Sequence, residues 1–147
     1  MYKVLISKTI NAPIEKVFEV LADHEGYVNF PGVRKAELIQ EGTSPRNGVG
    51  AVRRLGLGPI SIDEEITEYQ APSLLGYRIV KAPLPVDHEF AQVRLQAHGD
   101  KTRVEWESVI HNRWPLVGGL LELAVGKQLE MIFKTMLALM NKRLAPR

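Results

Sequence analysis

Apolar and polar residues alternate along much of this chain, and the points where alternation yields to a helical repeat divide it into elements. Tyr2 to Ile10 alternates and predicts a first strand. Pro13 suits the first position of a helix, where its missing N–H costs nothing, and Val17, Phe18 and Leu21 mark that helix's buried side. A shorter helical piece is expected from Glu25 to Phe30, stopped by Pro31-Gly32. Strand-like runs follow over Val33 to Glu41, Val49 to Leu57, Ile60 to Tyr69, Leu74 to Lys81, Val86 to His98 and Thr102 to Asn112. The breaks between them are GTSPRNG, Gly58-Pro59, Ala71-Pro72-Ser73, Ala82 to Pro85 and Gly99-Asp100. Breaks this short favour antiparallel neighbours. A long helix from Leu116 to Met140 ends the order, which makes the expected class α+β: a sheet with a helix lying across it.

Short turns also predict register. If Gly58-Pro59 is a tight turn, Leu57 faces Ile60, Leu55 faces Ile62, Arg53 faces Glu64 and Ala51 faces Ile66, all on one side of the sheet. A Gly99-Asp100 turn sets Ala97 opposite Thr102, Leu95 opposite Val104, Val93 opposite Trp106 and Ala91 opposite Ser108. Leu75, Tyr77 and Ile79 join the same apolar side, and the alternation carried upstream puts Glu89 there as well. Arg53, Glu64, Tyr77, Trp106 and Ser108 interrupt that side. An unpaired charge there would cost several kcal/mol (roughly,), so Arg53 and Glu64 are expected to pair. A structural ion pair and a pair that orients a polar group on a ligand are both open readings.

On the long helix, Val117, Leu121, Ala124, Val125, Ile132 and Leu139 share a direction, and Lys127, Glu130, Lys134 and Asn141 share another. Glu122, Lys127, Glu130 and Lys134 are four ionisable groups, and they make a membrane span a poor reading. Gln128 and Thr135 sit seven residues apart in the middle of the apolar side, where polar groups need partners; bonds to sheet groups or trapped water are the default reading, and two such positions in line suggest a cavity between helix and sheet. Phe133, Leu137 and Met140 widen the apolar arc. Packing on the first helices and pairing with a second copy of the chain both remain open for them.

Composition changes this picture little. A chain of 147 residues, 45% apolar and 24% charged, fits one soluble domain over 1–147. The absence of cysteine excludes disulfides, thiolate metal ligands and cysteine nucleophiles, and fits a reducing compartment. The opening MYKVLISKTINAP alternates and has no signal-peptide core, so the expected location is the cytoplasm. Net charge is only +2, and no stripe of Lys and Arg interleaved with aromatics marks a nucleic-acid interface.

Candidate chemistries narrow quickly. A Ser–His–Asp arrangement needs a histidine beside its nucleophile. Parity places His88, His98 and His111 on the outer face, and His24 near the end of the first helix, so all four read as surface residues. The same placement leaves no two histidines with metal-ligand spacing, and nothing calls for a cofactor. The glycines of GVGAVRRLG open a strand, not a helix, and make no phosphate cradle. Acid–base work by Arg53, Glu64, Tyr77 and Glu89 is what remains. A carboxylate held by an arginine is a weak base, so these residues suit binding better than catalysis.

The segments ISKTINAPIEKVFEVLAD, GVGAVRRLGLG, EEITEYQAPSLLGYRIV and KTRVEWES, in this order before a long helix, resemble the START-like, helix-grip superfamily, nearest its polyketide cyclase/dehydratase branch. DHEGYVNFPGV is also similar to the subgroup that binds the isoprenoid tail of ubiquinone. The resemblance implies a curved seven-stranded antiparallel sheet gripping the C-terminal helix, with a cavity between them and with Arg53 and Glu64 at commonly filled positions. The expected function is binding of a small hydrophobic molecule: a lipid, an isoprenoid or an aromatic polyketide. The expected wall is Arg53, Leu55, Glu64, Ile66, Tyr77, Ile79, Glu89, Val93, Trp106, Ser108, Gln128, Ile132 and Thr135. The alternatives are a cyclase or dehydratase acting through Arg53, Glu64 and Tyr77, and an interaction module using the helix.

Overall fold

In the computed structural model, which describes residues 1–83, 86–113, 116 and 118–146, a seven-stranded antiparallel sheet holds one long helix. The expected break through Pro85, the helix position of Val117 and the basic Arg147 lie outside the described residues. Strand β1 is Tyr2–Ile10, followed by helix α1, Ile14–Ala22, and a 3-10 helix, Glu25–Asn29. Strands β2 (Lys35–Gln40), β3 (Val52–Gly56), β4 (Ser61–Gln70), β5 (Leu74–Lys81), β6 (Val86–His98) and β7 (Lys101–Asn112) come next. Helix α2, Gly118–Leu144, runs one turn past the expected end at Met140. The spatial order is β1-β7-β6-β5-β4-β3-β2, so the chain's first strand closes against its last. This is the helix-grip architecture. Among the described residues no helix is long and apolar enough to cross a membrane.

The predicted registers hold in both hairpins. Arg53 faces Glu64 and Leu55 faces Ile62 across β3 and β4. Ala91, Val93, Leu95 and Ala97 face Ser108, Trp106, Val104 and Thr102 across β6 and β7. Upstream of Ala91 the prediction fails. A bulge between His88 and Phe90 adds one residue to β6, and one extra residue exchanges inside for outside. Glu89 therefore points outward and bonds His111, and His88 points in and is buried.

The packing face of α2 also differs from the expected one, by roughly a third of a turn. Gly118, Glu122, Gly126, Phe133, Met136, Leu137 and Met140 are its buried residues. The physical reason lies in what the contact requires. The helix packs mainly on β1, with Gly126 against the Tyr2 ring. Glu122 accepts the backbone and side-chain N–H groups of Asn112 at 3.0 and 2.9 Å. Tyr2 Oη–H donates to Glu130 Oε1 at 2.6 Å. Two glycines and a carboxylate at contact positions carry no hydrophobic signal, and Leu120, Leu123 and Met131 lie exposed on the far side. Phe133, Leu137 and Met140 fill the core of their own chain, which removes them as a pairing surface.

A Cβ on Gly126 would lie 2.3 Å from the Tyr2 ring, whereas one on Gly119 meets nothing within 4 Å. Gly126→Ala is therefore expected to destabilise by about 1–3 kcal/mol through overpacking, despite a helix-propensity gain of about 1 kcal/mol. Gly119→Ala should be neutral or mildly stabilising. Urea unfolding of both variants checks the pair, and equal effects would remove the close β1–α2 contact from the account.

Candidate ligand site

Because α2 leans on β1, it leaves a gap over the middle of the sheet. There the structure holds a cavity of about 700 Å³, walled by β3, β4, β5, the start of β6, β7, the 3-10 helix and one flank of α2. Most of its wall is apolar, including Leu55, Leu57, Ile62, Ile79, Ile110, Leu129 and Phe133. Trp106 forms part of it, with its ring stacked on Phe133 at 4.3 Å between centroids.

Arg53 provides the polar end. Alternation along β3 turns Arg53 and Leu55 inward and Arg54 outward, where Arg54 makes a two-pronged bond to Asp63 at 2.8 and 3.0 Å. Arg53 is only 1% exposed. Its Nε donates to Glu64 Oε1 at 2.7 Å, and its Nη1 donates to His24 Nδ1 at 3.2 Å. Its guanidinium lies over the rings of Tyr27 and Tyr77, 4.3 and 4.9 Å from their centroids. Burial works against the charge, but Tyr27, Glu64 and Tyr77 around it outweigh that and raise its pKa. Arg53 is charged at any working pH.

A second polar station sits where β5 leaves β6. Their pairing runs from Leu74–Arg94 only to Tyr77–Ala91. Beyond it the His88 ring takes over, accepting the Ile79 N–H on Nδ1 at 2.8 Å and stacking on Tyr77. Its Nε2 lies 2.9 Å from Ser108 Oγ. Since Nδ1 is an acceptor, the neutral ring carries its proton on Nε2 and donates to the serine. That is the reverse of what a serine nucleophile needs from its base, so this pair is not a nucleophile and its activator. His24 is fixed in the same tautomer, with Nδ1 accepting from Arg53 and Nε2–H donating to the Asn47 carbonyl at 2.8 Å.

Of the residues expected to face a ligand, Arg53, Leu55, Glu64, Tyr77, Ile79, Trp106, Ser108, Gln128 and Ile132 line this cavity. Ile66 and Val93 are sealed in the core, not in its wall. Glu89 lies on the outer face because of the bulge, and Thr135 is exposed and does not line the cavity. The reading of all four histidines as surface residues is corrected for His24 and His88, which are buried; His98 remains exposed. Tyr27, His88, Leu129, Phe133 and Met136 were missed. The widened apolar arc of α2 was a signal for Phe133 but did not include Met136, and parity hid His88. No group of three or more His, Cys, Asp or Glu with metal-holding geometry occurs among the described residues.

A curved sheet gripping a helix over a largely apolar cavity defines a class of ligand-binding proteins, and sequence comparison gives the family. Residues 1–145 match the polyketide cyclase/dehydrase and lipid transport family, and the chain belongs to it. No curated protein matches the chain by sequence. Among solved structures, a START superfamily protein from Mycobacterium smegmatis superposes with a TM-score of 0.78 at 13% identity, covering 97% of this chain and 99% of that one. A solution structure from Thermobifida fusca gives 0.74 at 23%, covering 98% and 93%. The ZhuI aromatase/cyclase from Streptomyces sp. R1128 gives 0.71 at 21%, covering 97% and 93%. These likenesses concern the fold.

Two predictions follow from the buried polar groups. Glu64→Leu leaves the Arg53 charge buried without its carboxylate and is expected to cost about 3–5 kcal/mol. The double variant Arg53→Met/Glu64→Leu should be more stable than that single variant, and urea midpoints decide the order. The second concerns pH. Burial first, then Arg53, lowers the pKa of His24 from 6.5 to about 4; burial first, then Arg78, lowers that of His88 from 6.5 to about 4. Above 6.5 both states hold neutral rings. Between 6.5 and 4 the unfolded chain takes up protons that the folded chain refuses, so stability falls with pH across that window, by on the order of 3 kcal/mol per ring. His88→Gln should make the fall shallower. An unchanged slope would remove His88 as a contributor.

Proposed function

We propose that residues 1–147 act as one binding domain for a small, mainly apolar molecule held between the sheet and α2. The observation that carries this reading is the cavity of about 700 Å³, apolar along most of its wall with Arg53 and Glu64 at one end. Pockets of this size and lining are the usual form of small-molecule sites. Lipids, isoprenoids and aromatic polyketides all have the apolar bulk required. Residence in the cytoplasm belongs to the same proposal.

Turnover is the weaker reading. Glu64 is engaged by Arg53 at 2.7 Å, and the His88 proton points at Ser108, so neither group is arranged as a free base. Holding and orienting a ligand asks nothing more of these residues than they already do.

Native mass spectrometry and solvent extraction of the purified protein, followed by titration with a library of apolar compounds, test the reading. A one-to-one complex is expected. Leu129→Trp, which fills the cavity wall, should weaken uptake by about tenfold or more, one 1.4 kcal/mol step, in a protein that remains folded by circular dichroism. If no compound binds the unaltered chain, the proposal fails.

A further inference from the structure

Two buried hydroxyl groups in the cavity wall are each used as acceptors, which leaves their protons without a partner among the described residues. Trp106 Nε1–H donates to Tyr77 Oη at 3.1 Å. His88 Nε2–H donates to Ser108 Oγ at 2.9 Å, because Nδ1 of the same ring already accepts the Ile79 N–H. A hydroxyl has one proton and two acceptor positions, so both O–H groups remain free to donate. Among the described residues no hydrogen bond uses either proton. Tyr77 and Ser108 are 4% and 1% exposed, and both line the cavity.

Their placement is a consequence of register. Tyr77 pairs with Ala91, and Ala91 pairs with Ser108, so the two hydroxyl-bearing residues lie in one row on the inner face. The side chain between them is only a methyl group. Tyr77 is also held well above its ordinary pKa, by burial first and then by Glu64, so its proton stays in place. Buried donors without acceptors are costly, and a ligand that supplies an acceptor relieves that cost.

We propose, resting on the ligand-binding reading above, that the cavity selects apolar molecules that carry a carbonyl oxygen, received by the Tyr77 and Ser108 hydroxyl groups. A carbonyl accepts and has no proton of its own to place. An ammonium or amide N–H finds two donors facing it, and an alcohol that accepts here must still find an acceptor for its own proton. His88 is the positioning residue: its tautomer fixes the direction of the Ser108 hydroxyl.

The test compares 9-fluorenone with fluorene, the same tricycle with and without a carbonyl, on the full chain. Calorimetry gives the affinities, and infrared spectroscopy of bound fluorenone reports hydrogen bonding to its oxygen. Tyr77→Phe and Ser108→Ala are each expected to weaken fluorenone by about three- to tenfold and to leave fluorene within about twofold. In the unaltered protein the carbonyl stretch should lie below its position in a hydrocarbon solvent, and each substitution should raise it. Fluorenone binding that ignores both substitutions, with a stretch like that in hydrocarbon, overturns the inference and leaves the ligand-binding reading intact. If neither compound binds the unaltered chain, the ligand-binding reading fails and this one with it. Should one variant not fold, the other and the infrared band of the unaltered protein decide.

Discussion

A guanidinium buried in an otherwise apolar wall is the constraint that organises this molecule. An unpaired charge in such a place is costly, and Arg53 is paired with one carboxylate and surrounded by polar and aromatic groups from widely separated parts of the chain. Glu64 comes from β4, Tyr77 from β5, Tyr27 from the 3-10 helix, and His24 from the turn before it. His24 passes the connection on to the Asn47 carbonyl, while Asn47 Nδ2 donates to Ala22 at 2.9 Å. One charge thereby fixes the short helices and the 42–48 loop against the sheet. The arrangement is a poor source of net stability, because desolvation cancels much of the attraction, but it determines how these segments sit.

The second organising contact is that between α2 and β1. Gly126 lets the Tyr2 ring approach the helix, and Glu130 receives the Tyr2 hydroxyl. A helix held to one edge of a curved sheet cannot also cover β3, β4 and β5. The cavity is the space this leaves, so the glycine and carboxylate positions on α2 shape the site from a distance.

Hydrogen-bond direction decides what the site can do. In the His88–Ser108 pair the ring proton lies between the two groups, and its position follows from a backbone N–H on the other side of the ring. A reader who saw only a serine 2.9 Å from a histidine would suspect nucleophilic chemistry. The backbone donor of Ile79 turns the same pair into a binding group.

The alternation of β3, β4, β6 and β7, together with two short turns, was enough for the sequence alone to determine the antiparallel sheet, the Arg53–Glu64 pairing and most of the inner face, because the period of two and turn length leave few registers. It also determined that a long amphipathic helix would follow. Three things were decided only by tertiary structure. The bulge at His88 exchanged His88 and Glu89 between faces, and nothing local announces one inserted residue. The rotation of α2 was set by glycines and Glu122, which make close approach and hydrogen bonds that a hydrophobic pattern cannot register, so Thr135 ended outside and Phe133 inside. His24 became a core residue because Arg53, far away in sequence, needed an acceptor. Periodicity reports which residues avoid water; which polar residue is buried depends on the partner that folding brings to it.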